Sequence, residues 1–545
     1  MKKISFILPL LIFSCCTLLF AQSTTNQVWT ADNGNGTFKN PILWGDWPDP
    51  DITRVGDEFY FVSTSMHYVP GCPILKSKDL VNWEMASYVI DRYDEDPRYD
   101  LKGGEMYLRG SWAATIKHHN ELFYVGFCTP KWDKEKGNFS INIAKDIKGP
   151  WKRTIFPEYL YDPGLFFDDD GKVYVIHGQG KLYVTELASD VRSVKGENKL
   201  IWDKSIPSPK GSSAPGKAYN MEGSHMYKIN GYYYLTCPAG GTEGWQVCLR
   251  SKNIYGPYET KTIVQDESSY PNNGLHQGGM VQLKDGSWWF IIMQDRGAIG
   301  RVPNLVPVEW KDGWPMLGKN GNAKGVVVYQ KPNVGKTFPV KVPATSDEFS
   351  TSKLGLQWQW NHNPDDTKWS LKERKGNMRL HAAYAKDLTM ARNTLTQRVQ
   401  GPTSEGIVEI DLKGLKTGDI AGFGIFQSPY AYIAVRKTGS NKDLIMINNG
   451  KLIDSIAHFT PDKIWIKANA THTGFKATFS YSTDGKKFTP LGNQLQMDLG
   501  LAWTANRFAL FNFSQSKEGT GGYADFNWFH FQGENPTYPQ NGGEN

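Results

Sequence analysis

The sequence lacks several features that would place it in common classes of protein. Beyond the first 21 residues, no stretch approaches the roughly 18 apolar residues needed to cross a bilayer. Acidic and basic side chains are interspersed, and no basic cluster of the kind that binds nucleic acid or a membrane surface occurs. Segments with helical periodicity are almost absent. We therefore expect a nearly all-β protein with no membrane span and no nucleic-acid partner.

Cysteine is also scarce, with six residues in 545. Cys15 and Cys16 lie in an apolar N-terminal run, which leaves four: Cys72, Cys128, Cys237 and Cys248. Their spacing matches no zinc motif. Cys237 and Cys248 flank a glycine-rich turn (240–244) almost symmetrically, so they are predicted to face each other across a hairpin, as structural thiols or as one disulfide.

Residues 1–21 have the features of a secretory signal peptide: Lys2 and Lys3, an apolar run, then Ala21. A lipoprotein cleavage site before the paired cysteines is an alternative, but the preceding residues fit one poorly. We expect export to the periplasm or the medium. The formal net charge of +6 falls to +4 without the two lysines. The remaining residues, about 520, are too many for one core, so at least two domains are expected.

One pattern recurs five times after a short polar lead (22–38). A tight polar turn is followed by an aromatic, β-branched strand, and Asp-Gly and Asn-Gly are strong hairpin signals. The five copies lie at 56–62, 119–125, 170–175, 230–235 and 285–290. Successive turns are separated by 51 to 63 residues, a period that suits a four-stranded propeller blade. The repeat predicts a five-bladed β-propeller over residues 39–337.

A second regularity lies 11 or 12 residues upstream of the central aromatic of each copy. The residues there are Asp49, Trp112, Asp162, Glu222 and His276. Each has a simpler interpretation alone: a turn or surface acid, a core tryptophan, or a satisfied strand histidine that could instead be a general base or metal ligand. If the feeding strand is the innermost of its blade, however, all five lie at equivalent positions around one axis. The repeat thus predicts a cavity with three carboxylates, a tryptophan and a histidine.

Asp49 stands between Pro48 and Pro50, just ahead of a strand. Each proline fixes its own φ and favours an extended conformation in the preceding residue, so Asp49 is predicted to be extended and stiffly held. A rigid loop with a capping aspartate is the simpler alternative for 47–51. Asp51 is expected to point away from the cavity, since strand positions alternate faces. Gly223 is expected to give the Glu222 carboxylate clearance.

Two carboxyl groups with a third to adjust one of them are what glycosidic hydrolysis requires. One takes a proton from water, and the other must stay protonated near neutrality to protonate the leaving oxygen. Clustering of like charges raises the pKa of one member, which favours such an acid. The predicted cavity therefore indicates glycoside hydrolysis.

The acidic motifs resemble those of glycoside hydrolase family 43. The resemblance rests on 40–43 with 47–51, on 161–163 with 166–171, on 221–223 with His225, and on 300–301 with 307–310 and 312–315. The family fold is a five-bladed β-propeller, and the resemblance implies hydrolysis with inversion. It implies Asp49 as general base, Glu222 as general acid, and Asp162 as the residue that raises the acid's pKa and orients it. The family commonly has a small residue where this chain has Asp51.

The same resemblance suggests roles for three more residues. Arg301 would contact substrate hydroxyls, and Trp112 would line the pocket for the terminal sugar. His276 matches the axial histidine, near which many members hold a calcium ion or a central water. No cofactor is required by this interpretation, and a structural calcium near His276 is the one metal that it suggests.

The composition changes after about residue 338, where the repeat stops. Short alternating strands with Gly and Asn turns predict a β-sandwich over 338–531. Segments 354–364 and 391–398 resemble the concanavalin-like domain of the xylosidase and arabinofuranosidase branch. Its expected role is to complete the rim of the active site, with independent carbohydrate binding as the alternative. The tail 532–545, rich in Gly, Asn and Pro, is expected to be flexible.

The expected function is that of an exported, exo-acting hydrolase that removes a terminal pentose from plant hemicellulose, such as arabinoxylan or xyloglucan side chains, or from its oligosaccharides. An α-L-arabinofuranoside is favoured over a β-D-xyloside, with activity on both as a further alternative. An endo-acting arabinanase is disfavoured by the sandwich. The rival from another class is a non-catalytic glycan-binding protein, which the set of three acids disfavours.

Overall fold

The computed structural model describes residues 27–131, 137–208, 216–264, 274–319, 321–323, 327–499, 503–517 and 521–536. The predicted signal peptide (1–21), the start of the polar lead and the end of the predicted tail lie outside these ranges. Among the described residues, no helix combines the length and hydropathy needed to span a membrane. The helical elements in this part are three 3₁₀ turns, Pro97–Asp100, Gly297–Ile299 and Leu388–Met390.

In the described part, the N-terminal half forms five antiparallel sheets of four strands, each in sequential order. Their strands are Asp51–Val55, Glu58–Val62, Gly71–Ser77 and Trp83–Ile90 in blade 1; Trp112–His119, Leu122–Thr129, Asn138–Ala144 and Lys152–Phe156 in blade 2; Gly164–Phe167, Val173–His177, Leu182–Leu187 and Lys199–Trp202 in blade 3; His225–Ile229, Tyr232–Ala239, Trp245–Ser251 and Glu259–Val264 in blade 4; Leu275–Gln282, Trp288–Asp295, Arg301–Lys311 and Trp314–Leu317 in blade 5. The first strands of blades 1 to 4 contact one another in turn, and those of blades 5 and 1 do so as well. Between blades 4 and 5, Met280 N–H donates to Tyr227 Oη at 2.9 Å. The first strands are therefore the inner strands, as the repeat predicted.

The hairpin turns explain why these segments pair in this register. Asn120 and Glu121 in blade 2, and Asn230 and Gly231 in blade 4, all have positive φ, as a type I′ turn requires. Outside the blades, Thr37–Lys39 pairs with Val328–Gln330, and Ile206–Pro207 pairs with Ala218–Tyr219. The first of these pairs joins the residues before blade 1 to those after blade 5.

The C-terminal half forms two further sheets. One contains Lys451–Ile456, Asn441–Asn448, Ala431–Thr438, Asp419–Phe426, Arg507–Ser514, Leu395–Arg398, Gln359–Asn361 and Tyr68–Val69, with Ala383–Tyr384 beside Arg507–Ser514. The other contains Trp369–Ser370, Met378–His381, Tyr523–Gly533, Thr403–Asp411, Lys463–Thr471, Lys476–Ser482 and Thr489–Pro490, with Leu495–Gln496 beside Lys476–Ser482. The predicted fold class, a five-bladed propeller followed by a β-sandwich, is confirmed.

The two domains share both a sheet and a core. Tyr68–Val69 leaves blade 1 and pairs with Gln359–Asn361 at the edge of a sandwich sheet. Ala298, Ile299 and Val302 of the propeller belong to the same buried cluster as the apolar residues of the sandwich. The sandwich is therefore built onto the propeller beside the end of blade 5, close to Arg301.

Two sequence expectations need correction here. Cys237 lies opposite Val247, and Cys248 lies opposite Thr236, so the two side chains point to opposite faces of blade 4 and into different core clusters. Both are buried free thiols, like Cys72 and Cys128, and the predicted disulfide alternative is wrong. The last strand continues to Gly533, whose N–H donates to Gln27, so the start of the predicted tail, 532–536, is held against the N-terminal segment.

Candidate active site

A ring of left-handed backbone conformations lies where the five inner strands begin. Each blade contributes one residue with positive φ: Asp49 (53°), Ala113 (41°), Asp162 (48°), Gly223 (56°) and Gln277 (52°). The five residues that the repeat predicted to converge are members of this ring or precede a member by one position. The structure therefore places all five at the same end of the propeller.

The backbone of Asp49 differs from the prediction. The residue before a proline favours extended backbone, but the φ of Asp49 is +53°, and the expectation of an extended residue is wrong. Tertiary contacts override the local preference: Thr64 N–H donates to Pro48 O at 3.0 Å, and Asp49 N–H points at Met293 Sδ at 3.3 Å. Such a conformation is costly outside glycine and is typical of functional sites.

The Asp49 carboxylate is bound on both oxygens. Arg301 Nη1 donates to Oδ1 at 2.8 Å, and Thr64 Oγ1 donates to Oδ2 at 2.6 Å. Thr64 Oγ1 in turn accepts the N–H of Ala113 at 2.8 Å, which ties the site to blade 2. Asp49 is only 6% exposed. The ion pair keeps a positive charge beside this carboxylate in a mostly dry setting.

Arg301 connects several acidic groups. Its backbone N–H donates to Asp46 Oδ1 at 3.0 Å, and its Nε lies 3.5 Å from Asp295 Oδ1. Burial disfavours the charged guanidinium, but the charges of Asp49, Asp295, Asp46 and Glu222 together raise the pKa of Arg301. The residue is therefore a fixed cation at the centre of the acidic cluster.

Asp162 is buried, and no cation of the described residues forms an ion pair with it. Burial, followed by the negative charges of Glu222 and Asp49, raises the pKa of Asp162 well above its usual range, and the charge of Arg301 opposes this shift. The three carboxyl groups therefore interact electrostatically within one site, as the repeat predicted.

Glu222 is half-buried and accepts two hydrogen bonds on one oxygen. Gln179 Nε2 donates to Oε2 at 2.5 Å, and Tyr161 Oη donates to the same atom at 3.3 Å. Burial raises the pKa of Glu222, and the charge of Asp49 adds to this shift, while the two donors and Arg301 act against it. A carboxyl group with a raised pKa is suited to act as an acid near neutrality.

The model of the family described as "Glycosyl hydrolases family 43" matches residues 38–315, the propeller that carries these acids. The chain belongs to this family. The model described as "Beta xylosidase C-terminal Concanavalin A-like domain" matches residues 346–532, which is the sandwich. This family 43 chain is therefore a glycosidase.

Relatives of this family 43 chain carry different names. A β-xylosidase of Formosa agariphila is 32% identical over 93% of this chain and 92% of its own length. A protein of Bacteroides ovatus named non-reducing end α-L-arabinofuranosidase BoGH43B is 34% identical over 63% of this chain and 65% of its own. A solved structure described as a bifunctional GH43-CE protein of Bacteroides eggerthii has a TM-score of 0.81 and 38% identity, covering 91% of this chain but 63% of that one. This chain thus spans less than two thirds of that protein.

Trp112 is the first residue of the inner strand of blade 2 and is half-buried. Its indole N–H donates to Leu108 O, and the Arg109 guanidinium lies 6.0 Å from its ring. The loop 106–111 therefore holds the ring at the same end of the propeller as Asp49 and Asp162. Its contact with a sugar stays a prediction.

His276 and Arg301 both lie beside the Asp295 carboxylate. Its Nδ1 is 3.0 Å from Gly274 O, and its Nε2 is 3.5 Å from Asp295 Oδ2. Within the described ranges, no group of three or more His, Cys, Asp or Glu side chains could hold a metal ion. Calcium prefers six to eight oxygen ligands, and Asp295 is the carboxylate that faces this ring. A calcium ion near His276 stays a prediction.

Asp51, a residue that the sequence left without a role, lies among the inner strands of several blades. Asp51 Oδ2 accepts from Thr115 Oγ1 at 2.8 Å, from Ile116 N–H at 2.9 Å and from Lys117 Nζ at 2.9 Å. His225 Nδ1, from blade 4, lies 3.5 Å from the same oxygen. The completely buried Asp51 carboxylate binds strands of different blades together and serves a structural purpose.

Gly223 has a different purpose from the predicted one. A Cβ at this position would lie 2.8 Å from the Gln277 side chain, and the φ of +56° favours glycine. The absent side chain therefore makes room for Gln277 of the next blade, and the clearance does not serve the Glu222 carboxylate.

Among the residues around the acids and Arg301, the sequence did not predict Thr64, Gln179, Asp295 or Trp503. Trp503 comes from the sandwich, is 40% exposed, and has its ring 5.4 Å from the Arg301 guanidinium. Gln179 had one usable signal, since it stands between two glycines directly after a predicted strand. The other three carry no local pattern, because long-range packing alone brings them to the site.

Proposed function

We propose that this family 43 protein is an exo-acting, inverting glycosidase that releases a terminal pentose from a hemicellulose chain or its oligosaccharides. The observation that carries the proposal is the Asp49–Arg301 ion pair at 2.8 Å, beside two carboxyl groups with raised pKa values, Asp162 and Glu222. One ionised and one protonated carboxyl group in a single site are what glycoside hydrolysis needs, and inversion is what the family resemblance implies.

In the proposed mechanism, Asp49 accepts a proton from a water molecule while the water oxygen attacks the anomeric carbon. The bond from that carbon to the leaving oxygen breaks, and its electron pair stays on the oxygen. Glu222 transfers its proton to this oxygen, so the products are two neutral alcohols and the proton balance is kept. Thr64 and Arg301 orient the base through its two oxygens. Asp162 is the proposed modulator of the pKa of Glu222, with which it interacts electrostatically.

The exo mode is supported by the position of the sandwich. Trp503 stands over Arg301 at 5.4 Å, and Arg301 is bonded to the proposed base. A side chain from a second domain at this place closes one direction in which a polysaccharide would otherwise extend. A site closed on one side accepts a chain end, and this supports release of single terminal sugars.

The first candidate substrate is a terminal β-D-xyloside. The F. agariphila relative, which matches more than nine-tenths of both chains, is named a β-xylosidase. This order reverses the expected preference for arabinofuranosides. A terminal α-L-arabinofuranoside is the second candidate, because the B. ovatus relative is named for that activity, although it matches a smaller part of the chain.

Two measurements test this proposal. Initial rates on aryl β-D-xyloside and aryl α-L-arabinofuranoside rank the candidates, and a clear preference for the arabinofuranoside would restore the original order. Proton NMR of the first-formed sugar tests the mechanism, and retention of configuration would exclude the assigned roles. Glu222→Gln should lose most turnover on a xylo-oligosaccharide and much less on a substrate whose leaving group needs no protonation.

We also propose export of the protein, on the basis of the signal-like residues 1–21. Cell fractionation with mass determination of the mature chain tests it. A cytoplasmic protein that retains Lys2 and Lys3 would contradict it.

A further inference from the structure

A short turn in blade 3 bridges the segments that carry Asp162 and Glu222. Gly178 N–H donates to Tyr161 O at 2.8 Å, and Gly180 N–H donates to Met221 O at 2.9 Å. Tyr161 precedes Asp162 and Met221 precedes Glu222 in the sequence. The turn 178–180 is therefore fastened by its backbone to both acidic segments.

The two glycines make this bridge possible. Gly178 has φ +114° and Gly180 has φ +73°, both in the region that L side chains rarely adopt. A Cβ on Gly178 would lie 2.2 Å from Lys181 O, and one on Gly180 would lie 3.1 Å from the Asn220 side chain. The turn consequently has little freedom, and the side chain at its apex, Gln179, starts from a fixed backbone.

Gln179 is exposed but directed at Glu222, and its Nε2 donates to Oε2 at 2.5 Å. Tyr161 Oη donates to the same oxygen. A carboxyl oxygen offers two lone pairs, so these donors fill the acceptor positions of Oε2. An acidic proton then has to reside on Oε1.

We propose that Gln179 is a positioning residue that holds Glu222 by Oε2, and that Oε1 carries and delivers the proton in glycosidic cleavage. This inference rests on the proposed function. An amide cannot act as an acid or a base here, so Gln179 acts through Glu222. In each turnover, the Oε1–H bond breaks as the new O–H bond forms on the leaving oxygen. Gln179 stabilises the carboxylate that remains, and a proton from solvent restores the acid.

The pH profile gives a readout that a merely structural role would not move. The charged and titratable groups that act on Glu222 are Asp49, Asp162, Arg301 and Tyr161, and all are retained in Gln179 variants. A donor that prefers the ionised form lowers a carboxyl pKa, and a cation lowers it further. Gln179→Met should therefore move the basic limb of the kcat/KM profile to higher pH by roughly one unit. Gln179→Lys should move it to lower pH.

A pair of substrates separates positioning from a general loss of activity. Gln179→Met should lower turnover of a xylo-oligosaccharide by roughly tenfold, a part of what acid catalysis contributes. Turnover of an aryl glycoside with an activated leaving group should change little. Tyr161→Phe should move the basic limb in the same direction as Gln179→Met, but less, because its contact with Oε2 is longer. Gln282→Met is the control for folding, since that exposed amide stands at the far end of the inner strand of blade 5 and donates to Gly286 O at 3.3 Å.

Three results would overturn the inference. The first is a basic limb that stays in place in both Gln179 variants. The second is an equal loss of activity on both substrates. The third is a rise in KM alone, which would indicate direct contact of Gln179 with the substrate. Glu222→Gln distinguishes this failure from failure of the proposed function. If that variant keeps full turnover on the oligosaccharide, the proposed function itself fails, whatever the Gln179 variants show.

Discussion

The Arg398 guanidinium of the sandwich lies 3.8 Å from the ring centroid of Trp47 in the propeller. Arg398 Nε also donates to Asp46 O at 2.7 Å. The two residues that it contacts directly precede Pro48 and Asp49, and Asp46 in turn accepts the backbone N–H of Arg301. One buried side chain of the second domain therefore supports both members of the Asp49–Arg301 ion pair.

Replacement of Arg398 by methionine should weaken the fold and the site together. The loss of a charge-assisted hydrogen bond and of a desolvated cation–π contact should lower the free energy of unfolding by about 2–4 kcal/mol. Displacement of Asp49 should lower kcat by roughly tenfold or more. Urea unfolding and initial rates check both effects. Arg436→Met, which affects an ion pair with Asp443 inside the sandwich, is the control and should leave kcat unchanged.

Asp162→Asn should stabilise the protein at pH 8 while it lowers activity. The folded-state pKa of Asp162 is raised, so its ionisation at rising pH destabilises the fold, and the neutral amide avoids that cost. A gain of about 0.5–2 kcal/mol is expected, with a smaller gain at pH 4. Thermal unfolding at the two pH values measures it.

Asp168→Asn is the matched control with the opposite sign. Asp168 pairs with Lys228 at 2.6 Å and accepts from Tyr233 at 2.7 Å. Burial alone would raise the pKa of Asp168, but these hydrogen bonds lower it. Its ionised form therefore stabilises the fold above the unfolded-state pKa, and this variant should unfold more easily at pH 8. If both variants shift stability in the same direction, the assigned electrostatics are wrong.

Gly223→Ala should disturb Glu222 through a steric contact. The added Cβ would meet the Gln277 side chain at 2.8 Å on a backbone with φ +56°, so stability should fall by about 1–3 kcal/mol. The basic limb of the pH profile should also change because Glu222 is the preceding residue. Gly231→Ala has a comparable φ of +77° with open space around its Cβ. That control should show the backbone strain without the loss of activity, and equal activity losses would contradict this prediction.

Trp503→Ala should affect substrate binding more than folding. Its ring is 40% exposed, so the stability change should stay within about 0.5 kcal/mol. The ring stacks over Arg301 at the rim of the site, and KM should rise severalfold while the melting temperature is unchanged. Tyr384→Ala removes another exposed aromatic ring of the sandwich, 51% exposed, and should leave KM as it is. An unchanged KM in Trp503→Ala would show that this side chain of the sandwich does not contribute to substrate binding.

The repeat predicted most of the propeller because its signals are local. Turns such as 230–231 require positive φ at both positions, and residues that tolerate it stand there. The constant sequence separation of Asp49, Asp162 and Glu222 from the aromatic strand that follows each of them could be recognised for the same reason. The disulfide alternative for Cys237 and Cys248 was wrong. Strand register decides which face of the sheet each side chain lies on, and a symmetrical spacing around a turn does not give the register.

The sequence by itself determined the blade count, the two-domain organisation and the positions of the three acids, since each depends on periodic strands and on short turns. Only the tertiary structure decided how those acids are held. Four separate segments of the chain supply the side chains around them: Thr64, Gln179, Arg301 and Trp503. Asp49 has a left-handed backbone, although the proline that follows it favours an extended one. Long-range contacts of this kind have no periodicity in the chain, because they follow from how the blades close into a ring and how the sandwich packs against them.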